Sequence, residues 1–181
     1  MDIFVEQLVK KKKSTGQILA IVGTVFLALI LLLVSLLLFR FLGAFAFLLV
    51  VAGFYGLWYL LTAQNIEYEY CVTNGDIDID RIVAQRKRKR IVSVSGKKIE
   101  SAGRYLPEKW AGRGVDCTIV AAPSNREDNL YYFTYRSKKR GHTLVIFQPD
   151  ERVRESLYEN LPKLVQLDWD KTGKQSPQTE E

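Results

Sequence analysis

The densest cluster of chemically capable side chains in this sequence is Arg86-Lys87-Arg88-Lys89-Arg90, five consecutive cations. Lys10-Lys11-Lys12-Lys13 forms a second basic cluster and Lys138-Lys139-Arg140 a third. Cations that reach an anionic bilayer surface contribute on the order of 1 kcal/mol each. Arg86, Lys87, Arg88, Lys89 and Arg90, with Lys10, Lys11, Lys12 and Lys13, are therefore candidate contacts to anionic lipid or to an acidic partner. A second reading of the run is structural. If the chain turns at Val83–Gln85, Asp80 falls opposite Arg88, Asp78 opposite Arg90 and Ile77 opposite Ile91. The cations then form a solvated ladder of cross-strand pairs, worth roughly 0.2–1 kcal/mol each. Sequence leaves both readings open.

Nucleophilic and metal chemistry finds little footing. His142 is the sole histidine and sits beside Gly141 in a basic turn, where solvent exposure is expected. Cys71 and Cys117 lie in apolar or aromatic runs and read as reduced core thiols; two cysteines cannot build a disulfide scaffold. A Cys71/Cys117/His142 zinc site lacks a fourth ligand and suitable spacing. No HExxH, CxxC, GxSxG or P-loop pattern occurs, and Gly112-Arg113-Gly114 is too short to mean phosphate binding. The sequence therefore predicts no catalytic residue, no metal site and no cofactor.

The elements that carry these residues begin with two apolar stretches, Ile18–Phe39 and Phe41–Leu61, divided only by Arg40. Neither contains a charge, and each reaches the roughly 20 residues that a helix needs to cross about 30 Å of hydrocarbon. In lipid every backbone amide must be satisfied within its own segment, so both are expected to be helical. A cleaved signal peptide has a shorter apolar core, about 7–15 residues, and is not followed at once by a second span. No Asp, Glu, Lys, Arg or His lies inside either stretch, which argues against a proton relay, an ion path or a transporter. Lys10–Lys13 ahead of the first span predicts a cytoplasmic N-terminus, and two spans return the chain to the same side. Tyr55, Trp58 and Tyr59, with Phe54, are expected to anchor the second helix at the inner headgroup level. Small residues at Gly16, Ala20, Gly23, Thr24 and Ala28 in the first helix, and at Ala52, Gly53 and Gly56 in the second, suit close packing within the hairpin or an oligomer face.

Before the spans, Phe4, Val5, Leu8 and Val9 fall on one side of a helical wheel, and Asp2, Glu6 and Lys10 on the other. A short helix on the inner leaflet fits this spacing, as does a frayed tail whose lysines only set topology. Beyond Asn65 the period shifts from helix to strand. Ile66, Tyr68, Tyr70 and Val72 alternate with Glu67, Glu69 and Cys71. Asn74-Gly75 predicts a type I′ turn, because both positions accept positive φ. DIDIDRIV, IVSVS, VDCTIVAA, LYYFTYR and TLVIFQ read as further strands, with PSNREDN and SKKRGH as turns. Gly103–Gly114 has no clean period; Trp110 and Leu106-Pro107 within it either cover one end of the fold or offer an exposed lip. Asp150 is a suitable N-cap for a helix carrying Val153, Leu157, Leu161 and Leu164, which Pro162 must end or kink near Leu161.

Several antiparallel strands followed by one C-terminal helix is the order of a pleckstrin-homology (PH)-like fold. The segments EYEY, TNGDIDID, RKRKRIVSV, KKIE, VIFQPDER and LP resemble those of bacterial PH-like domains. The whole layout resembles a group of small membrane proteins of Gram-positive bacteria, in which a basic N-terminus and a two-helix hairpin precede that domain. The resemblance covers Met1–Leu164, with its sharp motifs in Tyr68–Glu100 and Val145–Leu161. It implies a fold and a location, and it carries no ligand or functional residue with it. Eukaryotic PH domains often hold phosphoinositides on basic residues near their early hairpins. Bacterial membranes generally lack those lipids, so a headgroup here would belong to phosphatidylglycerol or cardiolipin.

The expected architecture is an α+β membrane protein: a two-helix transmembrane hairpin and a cytoplasmic PH-like antiparallel β-barrel or sandwich closed by a C-terminal helix. Its divisions are a basic amphipathic segment at 1–14, the hairpin at 15–61, the PH-like domain at 62–167 and a disordered polar tail at 168–181. From Thr62 onward 21 Lys+Arg stand against 18 Asp+Glu, a net of +3. That footprint is too weak for nucleic acid. The function expected is a non-enzymatic interaction or assembly module at the cytoplasmic membrane face, meeting a protein partner or another copy. The alternative is a sensor of anionic lipid headgroups.

Overall fold

A computed structural model describes residues 4–13, 15–124 and 129–173, which cluster into two units. The first comprises 1–11, 67–82 and 88–181 and holds the β structure. The second comprises 12–66 and 83–87 and holds the helical hairpin.

In the first unit Phe4–Lys10 (β1) is a strand, which corrects the helix or frayed tail expected there. It runs antiparallel to Ile66–Thr73 (β2), with Val5 opposite Val72, Gln7 opposite Tyr70 and Lys10 opposite Glu67. An isolated helix shorter than about 12–15 residues is marginal in water, whereas this segment finds a full set of backbone partners across the spans. Gln7 also fixes it from the side chain: its Nε2 donates to Gln148 O (3.2 Å) and its Oε1 accepts from Asp150 N (2.7 Å). The segment assigned to a separate 1–14 region is therefore part of the β domain.

Asp76–Val83 (β3) and Lys87–Ser95 (β4) complete a sheet of order β1-β2-β3-β4. Asn74 (φ 50°) and Gly75 (φ 86°) make the turn from β2 to β3 as expected. A Cβ on Gly75 would lie 2.5 Å from Asn160, so the turn also docks closely on a distant segment. The second sheet contains Ile99–Arg104 (β5), Cys117–Ala121 (β6), Tyr131–Ser137 (β7) and Gly141–Phe147 (β8), in the order β5-β7-β8-β6. The β6 strand pairs with β8 in parallel. The two four-stranded sheets form a sandwich-like arrangement and not a closed barrel.

Between the sheets lie Tyr70, Val72, Ile77, Ile79, Val92, Phe133, Val145 and Phe147, all buried. Burying each such side chain contributes about 1.5–3 kcal/mol. Tyr70 and Phe147 meet edge to face at 5.7 Å, and Phe133 and Phe147 at 5.3 Å. The Tyr70 hydroxyl donates to Ala121 O and accepts from Gln148 N (3.3 Å), joining β2 to the second sheet. A smaller cluster of Ala122, Leu130, Tyr132, Leu144 and Ile146 is packed by Tyr105, Trp110, Val115 and Val120. Trp110, in the short helix Pro107–Trp110 (α1), contacts Tyr132 edge to face at 4.8 Å. It covers that cluster and is not a free lip.

Glu151–Tyr158 (α2) starts at Asp150, whose Oδ1 accepts from Val153 N (2.8 Å). Val153 and Leu157 enter the core from this helix. The first helical stretch ends at Tyr158, ahead of the end expected near Leu161, and Lys163–Gly173 (α3) begins just after Pro162. The helix overlaps the tail expected from residue 168; residues 174–181 lie outside the described part, as do Asn125–Asp128 of the PSNREDN turn. Trp169 of α3 is buried and stacks on Tyr131 at 5.2 Å. Leu164 is exposed and not on the buried side expected from the helical spacing, because the break at Pro162 resets the helical phase.

The second unit contains Thr15–Leu42 (helix A) and Ala44–Ala63 (helix B). Their spans, Thr15–Phe41 and Phe45–Ala63, have mean hydropathies of 3.0 and 1.9, and only 6% of either is buried. Both helices are long and apolar enough to cross a membrane. The turn falls at Gly43 (φ 53°) and not at Arg40, which lies in the last turn of helix A. Glycine tolerates the positive φ that reverses the chain. Ser35 Oγ donates to Ala46 O across the hairpin (3.1 Å). A Cβ on Gly53 would stand 3.0 Å from Leu31 Cδ2, whereas Gly23 and Gly56 meet nothing within 4 Å. Of these three glycines, only Gly53 serves close packing between the two helices.

Burial raises the Tyr70 hydroxyl well above its ordinary value of 10.0, an effect opposed by the bond from Gln148 and reinforced by Tyr68. Burial also raises Tyr68 and Tyr135. A folded-state value above the unfolded one means stability that is complete below pH 10.0 and lost as pH climbs toward the folded-state values. Tyr70→Phe should cost about 1–3 kcal/mol at neutral pH, because the buried Ala121 carbonyl and the half-buried Gln148 N–H lose their bond. Its stability should also fall less steeply above pH 10.0 than that of the wild type, measured by denaturant unfolding across an alkaline series.

Candidate functional site

The five cations from Arg86 to Arg90 do not share one surface role. Arg88 and Arg90 enter a network with the carboxylates of β2 and β3. Arg90 Nη1 lies 2.8 Å from Asp78 Oδ2 and its Nε donates to Asp80 Oδ1 at 3.0 Å. Arg88 Nε lies 3.6 Å from Asp80 Oδ2, and its Nη2 contacts Glu69 Oε2. Lys10 Nζ extends the network from β1 to Glu67 Oε1 at 3.8 Å. The hydrogen bond that Arg90 donates to Asp80, with the charges of Asp78 and Asp80, holds the Arg90 guanidinium above its ordinary value. The expected pairs Asp80–Arg88 and Asp78–Arg90 are thus both present.

Glu67, Glu69 and Asp80 are buried, although alternation alone places them on the solvent side of their strands. The long side chains of Lys10 and Arg88, extending from the flanking strands, reach these carboxylates. Burial of a carboxylate is costly unless a cation answers it, which gives the arginines a structural role. Arg88 and Arg90 reach the carboxylate face, while Val92 and Val94 of the same parity are buried in the core.

Lys87 and Lys89 are exposed on β4, an edge strand of its sheet. Charged side chains at such an edge discourage pairing with another chain. Lys11, Lys12 and Lys13 are likewise exposed, between β1 and helix A. His142 is partly exposed, with Nε2 3.6 Å from Glu100 Oε2 and its backbone N donating to Asp116 Oδ2 at 2.7 Å. Cys71 and Cys117 are free thiols, each half-buried. Among the described residues no cluster of three His, Cys, Asp or Glu side chains gathers at metal-binding distance.

Arg86 is placed differently. It belongs to the helical unit through the turn at 83–87, where Ala84 (φ 55°) and Gln85 (φ 56°) reverse the chain. Ala84 N donates to Asn65 O at 2.8 Å, pinning this turn beside the end of helix B. The Arg86 guanidinium carbon stands 5.0 Å from the ring centre of Trp58 and 5.3 Å from that of Tyr59. Its Nη2 donates to Thr62 Oγ1 at 2.6 Å. Thr62 in turn directs its hydroxyl proton to the carbonyls of Trp58 (2.9 Å) and Tyr59 (3.0 Å). Helix B has no basic residue in its last turn, so Arg86 brings a cation to a helix C-terminus from outside the helix. Tyr55 packs on Trp58 at 5.8 Å, completing the aromatic group. The sequence singles out Arg86 and these rings separately; their meeting, and the part of Thr62, depend on a turn whose packing no local pattern encodes.

These features define a PH-like β domain interrupted by a helical hairpin long and apolar enough to cross a membrane. The chain belongs to the bacterial PH-like domain family DUF6106, whose model matches residues 1–167. The matched region includes β1, both apolar helices and the β sandwich. No curated protein and no solved structure matches the chain significantly.

Arg88→Gln and Arg90→Gln should each lower the melting temperature by a few degrees, because carboxylates at Glu69 and Asp80 lose their counter-charge. Lys87→Gln and Lys89→Gln should leave it unchanged, since surface substitutions away from such networks have little effect. Differential scanning fluorimetry of the full chain in detergent makes the comparison.

Proposed function

We propose that this chain is a non-enzymatic, membrane-anchored interaction module that presents its PH-like domain at the cytoplasmic face of the cell membrane, with both termini cytoplasmic. Two helices of bilayer length support the anchoring. Because β1 and β2 flank the hairpin and pair with each other, the chain enters and leaves the hairpin on one side. The lysines at Lys10–Lys13 assign that side to the cytoplasm by the positive-inside rule.

The observation that carries the interaction reading is apolar exposure outside the spans. Phe4 and Leu8 on edge strand β1 are 60% and 51% exposed, and Leu164 and Leu167 on α3 are 79% and 56% exposed. Large apolar side chains presented on an edge strand and on the C-terminal helix suit a protein partner or another copy. The alternative, a headgroup sensor using all of Arg86–Arg90, is weakened because Arg88 and Arg90 already answer carboxylates.

A photocrosslinking residue in place of Lys163, beside Leu164, should give a discrete protein adduct in native membranes. Leu164→Glu with Leu167→Glu should abolish that adduct. Adducts to lipid alone, or a protein adduct indifferent to the glutamates, would refute the interaction reading. A reporter behind Glu181 that is active only outside the cell should stay silent; activity there would refute the orientation.

A further inference from the structure

We infer that Arg86, held on Trp58 and Tyr59, forms a binding site for the phosphate of an anionic membrane phospholipid at the base of the hairpin. The inference is independent of the interaction reading and uses residues of the helical unit alone. Trp58 and Tyr59 are exposed in the last turns of a helix of bilayer length, the level at which amphipathic rings meet the headgroups. Lipid phosphates occupy that same level. The guanidinium carbon lies 5.0 and 5.3 Å from the two ring centres, so the cation is held against them before any ligand arrives.

The donor count leaves room for an anion. A guanidinium has five N–H donors, and Thr62 Oγ1 takes one of them. Among the described residues no carboxylate answers Arg86, whereas Arg88 and Arg90 each contact two. A planar cation with free parallel N–H groups matches two phosphate oxygens, a pairing that a lysine cannot reproduce.

The surroundings choose among phosphates. The site stands at a helix C-terminus, whose carbonyls repel an anion, and not at a helix N-terminus, whose backbone N–H groups capture soluble phosphates. A phosphate delivered by a lipid already embedded beside helix B needs no helix N-terminus to hold it. The aromatic faces that would attract a quaternary ammonium are occupied by Arg86 itself, which disfavours choline headgroups. Exposed Lys87 follows in the chain, and exposed Lys13 precedes helix A, adding positive charge at the hairpin's base.

Native mass spectrometry of the full chain in mild detergent, titrated with phosphatidylglycerol and separately with phosphatidylcholine, tests the site. The wild type should retain phosphatidylglycerol more tightly than phosphatidylcholine. Arg86→Gln should weaken phosphatidylglycerol binding about tenfold, the size expected for one charge-assisted contact. Lys89→Gln removes the same charge away from the rings and should change binding less than about twofold. If Arg86→Gln melts early, Arg86→Lys serves instead: it keeps the charge, loses the fork, and should bind severalfold more weakly than the wild type. Unchanged affinity in the arginine variant that folds would overturn the inference. So would an equal loss in Lys89→Gln, or equal retention of the two lipids by the wild type.

Discussion

The backbone pairing of β1 with β2 is the constraint on which the rest of the molecule depends. Lys10 and Glu67 stand opposite each other although both apolar helices lie between them in sequence. The hairpin is therefore an insertion within a β sheet, and the N-terminal strand is as much a part of the domain as the strands that follow. Closing a long flexible segment costs entropy that grows only slowly with its length, about 0.6 kcal/mol for each doubling. Gln7 reinforces the closure by bonding to Gln148 and Asp150 just ahead of α2.

Charge is organised around the same sheet. Acidic residues on β2 and β3 are buried more deeply than their alternation implies, and cations from the strands on either side reach them. The basic run consequently splits three ways. Arg86 lies on the aromatic end of helix B, Arg88 and Arg90 meet the carboxylates, and Lys87 and Lys89 line an open strand edge. Five adjacent cations in sequence end in different surroundings, because neighbours on a strand point to opposite faces and a turn sends the first of them elsewhere.

Features written in short-range pattern were readable from the sequence. The two apolar helices follow from length and absence of charge, the Asn74-Gly75 turn from φ preference, the Asp150 cap from a single side chain, and the Asp80–Arg88 and Asp78–Arg90 pairs from strand register. The features missed are long-range. FVEQLVK is short enough to satisfy a helical wheel and an alternating strand equally, and its partner strand lies beyond both helices. The parallel alignment of β6 with β8, within a sandwich that does not close into a barrel, is likewise invisible to local periodicity. The Arg86 platform needed the fold itself, since Trp58 and Arg86 carry no common pattern. Phosphate recognition by the platform and partner contact through Leu164 and Leu167 go beyond what sequence or geometry displays.

The two arms of the hairpin are unequal, 28 residues in helix A against 20 in helix B. At 1.5 Å per residue the surplus is about 12 Å. Since both arms start from Gly43, that surplus lies at the far end of helix A unless the rod leans over. In a hairpin that crosses a bilayer, the thickness of the hydrocarbon governs how many of its first residues are wetted, at a cost of fractions of a kcal/mol per Å of mismatch. Membranes of different depth would accordingly favour different inclinations of the longer arm, while the shorter one stays close to a matched length.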